Sequence, residues 1–257
     1  MKMDAAAYLG AWPFRSVEGT IRGLLAAMRE LEVGHALVSP MPALFYIDPE
    51  PANDELLRRL RGRPALWAAP VVNLRLANAG RYVEQLAQHP QVRAVRLAPG
   101  FHGYPAAQVG DTLRALADHD LAAVIQLRVQ DERSHPPTSF IPPVAIEEVI
   151  ALAESVPAAR VVVAAPRQGE VEDSARAERI RALQNLWLDI SHLDGVGSIR
   201  RAREAVGVER LLFATCWPFF YARSALLKVE EAELPAQETE RVMGGNAAQA
   251  FRLRADQ

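Results

Sequence analysis

Arg96, in the stretch AVRLAPG, and the pair Gln126 and Arg128, in AAVIQLRVQ, are the residues best suited to chemistry in this sequence. Each lies at or just beyond the end of a short apolar run. Period-two alternation puts Gln126 and Arg128 on one face of their run, and Ala6 and Tyr8 on one face of theirs. A guanidinium offers a planar fork of donors that matches a carboxylate or a phosphate. Arg15, in GAWPFR, offers another. His135, in ERSHPPT, and His192, in DISHLDG, carry imidazoles that titrate near neutrality and can move a proton. The expectation is a cleft in which Arg96 steadies negative charge and His135 or His192 handles the proton. Tyr8, Arg15, Gln126, Arg128, Cys216 and Trp217 are expected to line the ligand. A plainer role stands beside each of these. Arg96 and Arg128 also suit buried ion pairs, and the histidines also suit loop-fixing hydrogen bonds. Tyr8 also suits a cavity plug, and Cys216 suits inert packing, since no base neighbours it in the sequence.

Such residues need a scaffold, and the order of elements says which. Eight short runs rich in Val, Ile, Leu and Ala, at 3–9, 35–39, 66–72, 92–97, 122–127, 160–164, 186–190 and 211–214, read as strands buried on both faces. Helical periodicity lies between them, at 21–31, 82–88, 112–118, 144–154, 175–183 and 198–205, with Asp111 and Ser198 placed as N-caps. This alternation over 257 residues predicts an α/β fold, a (β/α)8 TIM-like barrel forming a single domain across 1–257. In that fold the chemistry belongs at the C-terminal strand ends and the loops leaving them. The sequence has no Gly-rich dinucleotide fingerprint and no P-loop. A net charge of −2 with scattered arginines argues against a nucleic-acid partner. The single cysteine, Cys216, excludes an intrachain disulfide and a Cys-rich zinc site. No apolar run reaches the length of a membrane span, and the first residues show no signal-like apolar core. A soluble cytoplasmic protein without a membrane partner is expected, and a homo-oligomer is an expectation by analogy only.

The loops also carry a resemblance. DAAAYLG, at 4–10, resembles the D-x-H-x-H-x-G on strand 1 of the amidohydrolase superfamily, in its amidohydrolase 2 branch. VRAVRLAPGFHGY resembles that branch's strand-4 segment, and LDISHLDG its strand-7 turn. RLLFATCWPF resembles its R-[LI]-[LM]-[FW]-G-[TS]-D-x-P at strand 8, and GGNAAQAFRL its closing N-A-x-x-[LF]-[FL]. The similarity runs over nearly the whole chain. It implies the barrel and, because the branch holds decarboxylases and lactonases, a lyase or hydrolase for a small carboxylated molecule. It also implies metal ligands on strands 1, 5, 6 and 8, and there the sequence departs. Those positions hold Ala6, Tyr8, Gln126, Ala165 and Cys216. A divalent ion needs about three or more converging N, O or S donors, so neither a metal nor another cofactor is expected. Three readings stay open. The preferred one is a metal-independent hydrolase or lyase taking an anionic small molecule. The others are a non-catalytic small-molecule-binding relative, and a remodelled metal-dependent hydrolase with ligands drawn from His102, His135, His192 and Asp131.

Overall fold

A run that is apolar at every position has no solvent face, so each strand of this chain packs helices on one side and a bore on the other. The computed structural model describes residues 2–253 apart from 132, 134, 137 and 138. Its strands are β1 (Met3–Ala11), β2 (Glu18–Gly19), β3 (His35–Pro40), β4 (Leu66–Ala68), β5 (Val71–Val72), β6 (Ala94–Leu97), β7 (Ala122–Gln126), β8 (Arg160–Ala164), β9 (Leu186–Asp189) and β10 (Leu211–Leu212). They form two sheets, in the orders β2-β1-β3-β4 and β10-β9-β8-β7-β6-β5. Neighbours are parallel except β2, which folds back antiparallel on the end of β1. Single parallel bridges stitch the sheets together at both seams, Ala68 to Val92 and Ala7 to Trp217. At the second seam the Ala5 N–H donates to the Phe213 carbonyl at 2.8 Å, and the Tyr8 N–H to the Trp217 carbonyl at 2.9 Å. The chain is a (β/α)8 barrel, as the element order predicts.

The bore accounts for the alanines of strand 1. Trp67 on β4 and Trp187 on β9 are buried in one cluster with Ala5, Ala6, Ala94, Ala122 and Ala214. Two indoles fit inside an eight-stranded barrel only where the strands around them carry small side chains. The alternate residues, among them Val38, Val95, Ile125, Val163 and Leu188, meet the helices in the outer cluster.

Asp4 fastens the seam between β1 and β10. Its Oδ1 accepts from the Ala6 N–H at 3.1 Å and the Thr215 N–H at 2.9 Å, and its Oδ2 accepts from the Thr215 hydroxyl at 2.5 Å. Thr215 Oγ1 accepts in turn from the Trp217 N–H at 3.0 Å. The pairing of β1 with β3 shifts register between Asp4 and Ala7, which brings Ala5 and Ala6 together into the inner cluster. Burial pushes the Asp4 carboxyl up to about 6, against the hydrogen bonds that favour its charge.

Several expectations are corrected. Strand 3 is two strands, because Pro70 has no N–H to continue the ladder; β4 pairs with β3 and β5 with β6. A helix, Glu50–Leu60, follows the loop after β3 where none was expected; Pro51 sits in its first turn, and it buries Ala52, Asn53, Leu56 and Leu60. Asp111 is not a cap but lies in the first turn of the helix Val109–Asp118, paired with Arg114. Ser198 is the first residue of the helix Ser198–Val206, and Gly197 takes the cap at φ 64°, a conformation glycine adopts without strain. No described helix is long and apolar enough to cross a membrane.

The Asp4 clasp has a signed pH dependence. A carboxyl raised on folding stabilises the fold fully below about pH 4, and that contribution fades as pH rises through the folded value. Asp4→Asn keeps an acceptor for both N–H groups but has no charge to bury. Across the window ending at about 6, the wild type therefore loses stability relative to Asp4→Asn, on the order of 3 kcal/mol. Urea midpoints of both proteins, taken from pH 4 to 7 (about the ionising range of a raised carboxyl), measure it. Parallel curves would show that Asp4 does not ionise in this window.

Candidate functional site

Arg96 leaves β6 pointing into the bore, and none of its surface is exposed. Its Nε donates to Ser39 Oγ at 2.8 Å, and its Nη1 donates to Gln126 Oε1. The guanidinium carbon stands 4.9 Å from the centroid of the Tyr8 ring, a cation–π contact. The Tyr8 hydroxyl donates to the same Gln126 oxygen at 2.9 Å, and Gln126 Nε2 donates to the Arg128 carbonyl. Ser39 is itself fixed by donating to the Ala69 carbonyl at 2.7 Å. The last nitrogen, Nη2, has no hydrogen-bond partner. Among the described residues no carboxylate hydrogen-bonds Arg96; the buried Asp189 carboxyl acts on its charge from farther off. Strands 1, 2, 4 and 5 thus converge on one cation. Tyr8, Arg96 and Gln126 meet as their alternation predicts, and Ser39 joins them unforeseen, although it alternates with the inward Leu37.

Arg128 makes the plainer choice. Its Nη1 and Nη2 donate to the two Glu170 oxygens at 2.8 and 2.6 Å, and Nη1 also reaches the Ala165 carbonyl at 2.7 Å. Nothing in the sequence marks Glu170 as this partner. Ala165, at φ 63°, is in the left-handed region that favours glycine, as is Cys216 at φ 52°. Cys216 is buried, its thiol pushed well up by burial, with Sγ 3.7 Å from the Val129 carbonyl. Arg15 is a rim clamp: its Nε donates to Gln130 Oε1 at 3.2 Å and its Nη2 to the Phe219 carbonyl at 2.7 Å.

Trp217 turns its ring away from the Arg96 cluster. Its backbone closes the barrel seam, but its ring lies against Gly23 on the helix Ile21–Glu30, outside the bore. The other mouth aromatics lie over the bore as a packed cluster. The Trp12 ring lies 4.7 Å from that of Phe219, 4.9 Å from Phe45 and 5.3 Å from Phe14; Phe101 joins through Phe45 at 5.6 Å, and Phe219 rests on Tyr8 at 5.5 Å. His135 sits at this rim, its ring 5.0 Å from Phe14 and 6.3 Å from Trp12. His192 lies elsewhere, after β9, with Nδ1 3.0 Å from Ser191 Oγ and its ring 4.9 Å from Phe220. Burial and the nearby Arg128 charge pull His192 down to about 4.

The donor set does not fit a metal ion. Ala6 and Ala165 offer no side-chain donor. Burial raises both Tyr8 and Cys216, so each keeps the proton a ligand must lose. The Gln126 oxygen already accepts from Tyr8 and from a permanent cation. The alternative set does not assemble either. His102 Nε2 is bonded to the Ala43 carbonyl at 3.0 Å, Asp131 is paired with Arg133, and among the described residues no three His, Cys, Asp or Glu side chains converge.

The fold has counterparts among known proteins. The amidohydrolase family model Amidohydro_2 matches residues 7–253. No curated protein is matched. Among solved structures, 5-carboxyvanillate decarboxylase LigW from Sphingomonas paucimobilis superposes with a TM-score of 0.77 at 16% identity, covering 98% of this chain and 99% of that one. A dihydroxybenzoic acid decarboxylase from Polaromonas sp. JS666, with bound manganese and 2-nitroresorcinol, gives 0.75 at 15%, covering 99% and 98%. A putative 2-pyrone-4,6-dicarboxylic acid hydrolase from Pseudomonas putida gives 0.72 at 18%, covering 98% of both chains. Identities this low carry the fold alone, but the family match spans nearly the whole sequence, and the chain belongs to the amidohydrolase family.

Proposed function

We propose that the protein is a lyase or hydrolase for a small carboxylated molecule, and that it works without a metal ion, with the Arg96 guanidinium as the fixed positive charge of its site. One observation carries the reading: a fully buried arginine with an unpartnered Nη2. The buried Asp189 carboxyl acts on this charge only at a distance, and burying an ion with no hydrogen-bonded counter-charge costs several kcal/mol, about 3–5 for one left unpaired. An anionic ligand supplies what the bore lacks. A guanidinium donates parallel N–H bonds to a carboxylate or to an oxygen on which charge develops, and in a dry site those bonds need no reorganisation. Gln126, Ser39 and Tyr8 hold the fork in place. His192 is the proton acceptor in this reading, and His135 belongs to the rim. The relatives named above, two of them decarboxylases of aromatic acids and one a hydrolase of a dicarboxylic acid, support the carboxylate class. Because Arg96 touches no solvent, the ligand enters as the Trp12 cluster parts.

Arg96→Met tests the charge directly. It leaves the Gln126 oxygen bonded to Tyr8 and Ser39 bonded to Ala69, so no polar atom is orphaned. The variant is expected to be at least as stable as the wild type, by up to about 4 kcal/mol, and to lose ligand binding. A panel of small aromatic and aliphatic carboxylic acids, read by thermal shift, is expected to stabilise the wild type in a saturable way. The gain is about 2.7 kcal/mol at a hundredfold excess over Kd, and it is absent in Arg96→Met. Stabilisation with turnover supports the enzyme. Stabilisation without turnover shifts the reading to a binding protein, and equal stabilisation of both proteins removes Arg96 from the site.

Metal independence is read separately. Elemental analysis of protein purified without chelator, and again after incubation with zinc or manganese, is expected to find less than about a tenth of an equivalent, since structured sites hold their ion tightly. Close to one equivalent, lost together with thermal stability on chelation, overturns it.

A further inference from the structure

Asp189, Ser191 and His192 form a hydrogen-bonded chain from the bore wall to the mouth. Asp189 Oδ1 accepts from the Ser191 N–H at 3.1 Å and from the Ser191 hydroxyl at 2.7 Å. Ser191 Oγ lies 3.0 Å from His192 Nδ1. Oδ1 takes the backbone N–H, so it is an acceptor. Two acceptor oxygens do not sit 2.7 Å apart, so the single hydroxyl proton goes to Oδ1. The hydroxyl is then an acceptor toward the ring, and Nδ1 must carry the imidazole proton. That leaves Nε2 as a bare lone pair.

Nε2 has no hydrogen-bond partner, on a side chain left 8% exposed. The Phe220 ring packs beside it. The charged groups around the ring are Arg128, Asp194, Lys228 and Arg167, with Asp189 behind Ser191. Lys228 is taken up by the Ser191 carbonyl at 3.0 Å and by Asp194 at 2.7 Å, and Arg128 by Glu170. None of them donates a hydrogen bond to Nε2. A buried acceptor left unmade costs about 1–3 kcal/mol, which is a reason to look for its donor on a ligand.

We propose that Asp189 and Ser191 are positioning residues that hold His192 in its Nδ1–H tautomer, so that Nε2 is the acceptor the site presents to an O–H or N–H group of the ligand. The ligand's being a small carboxylated molecule rests on the reading given above; the tautomer does not. When a ligand O–H passes its proton to Nε2, the ring gains one positive charge and the ligand oxygen one negative charge. Nδ1–H goes on donating to Ser191, and the imidazolium faces the Asp189 carboxyl across one hydroxyl. Asp189 thus acts on the ring through Ser191 and needs no contact with the ligand. The strand-7 segment LDISHLDG therefore holds a base together with the two groups that orient it.

Long-range proton–nitrogen NMR of the histidine rings in ¹⁵N-labelled protein tests this, with the His192 signals assigned by their loss in His192→Gln. The wild type is expected to show a protonated Nδ1 and a bare Nε2 at neutral pH. Ser191→Ala is expected to lose that preference, and Ser191→Thr, which restores a hydroxyl, to regain it. Asp189→Asn keeps an Oδ1 acceptor, so the tautomer should persist. A protonated Nε2 in the wild type overturns the proposal, and so does a Ser191→Ala spectrum identical to the wild type's. The wild-type spectrum decides the tautomer even if a variant fails to fold. An absent carboxylate thermal shift beside the expected ring spectrum tells against the ligand class alone.

Discussion

A full positive charge held in a dry bore governs the rest of this structure. Water would solvate a guanidinium on every side; here Arg96 has one hydroxyl, one amide oxygen and one aromatic face. Those partners come from β3, β7 and β1, so the charge is tolerable only in a barrel closed in this register. A slip of one residue in β6 would turn Arg96 toward the helices, into the layer where Val95 and Leu97 now pack. The Asp4–Thr215 clasp at the β1–β10 seam is thus a condition of the site as well as of the fold. The clasp works against its own burial, since Asp4 is raised even with three donors on it. Two buried ionisable groups, one closing the barrel and one occupying it, both cost stability that an apolar bore would keep.

A cation built into a side chain differs from one bound as an ion. It is always charged and it donates hydrogen bonds, but it has no empty orbital with which to bind water and make it acidic. On the proposed reading, the roles therefore divide. Arg96 holds and stabilises negative charge, and the proton needs a separate acceptor, which the strand-7 chain supplies. The positions to which the resemblance assigns metal ligands are not idle in this chain. Ala165 and Cys216 keep left-handed backbone that a residue with a Cβ adopts at a cost. The main chain of Ala165 puts its carbonyl on Arg128 and its N–H on Asp189. With no donor in its side chain, Ala165 serves through its backbone as scaffolding for one arginine and one acid.

The sequence shows what is periodic and hides what is not. The eight strand positions follow from continuous apolar runs, and the convergence of Tyr8, Arg96 and Gln126 from alternation, which fixes which face a residue takes. The break at Pro70 was readable from its missing N–H. The helix Glu50–Leu60 hides because its charged residues outnumber its apolar ones and only a narrow face is buried. The choice between a bare arginine and a hydrogen-bonded ion pair depends on partners far away in sequence: Arg128 meets Glu170 from the next loop, whereas Arg96 has no hydrogen-bonded acid and only the Asp189 charge at a distance. Periodicity carries no information about that. Trp217 shows the same limit, since its backbone belongs to the mouth while its ring turns outward to fill the space over Gly23.

The rim and the bore are held by interactions of different strength, and this decides where the molecule can open. At the rim, Arg15 is exposed, and its two hydrogen bonds compete with water. The ring contacts around Trp12 are edge-to-face pairs worth about 0.5–1.5 kcal/mol each beyond their burial. In the bore, each bond to Arg96 is fully buried, and breaking one strands a charge. Parting the rim exposes apolar rings and costs a few weak contacts; moving Arg96 costs an unsolvated guanidinium. The least costly route from the closed structure to an accessible one is therefore the rim. On the proposed reading, loops 1, 2 and 8 would lift while the platform of Tyr8, Ser39, Arg96 and Gln126 stays in place. A ligand that enters this way meets an arginine already oriented, so its binding energy is spent on opening the rim and not on building the site.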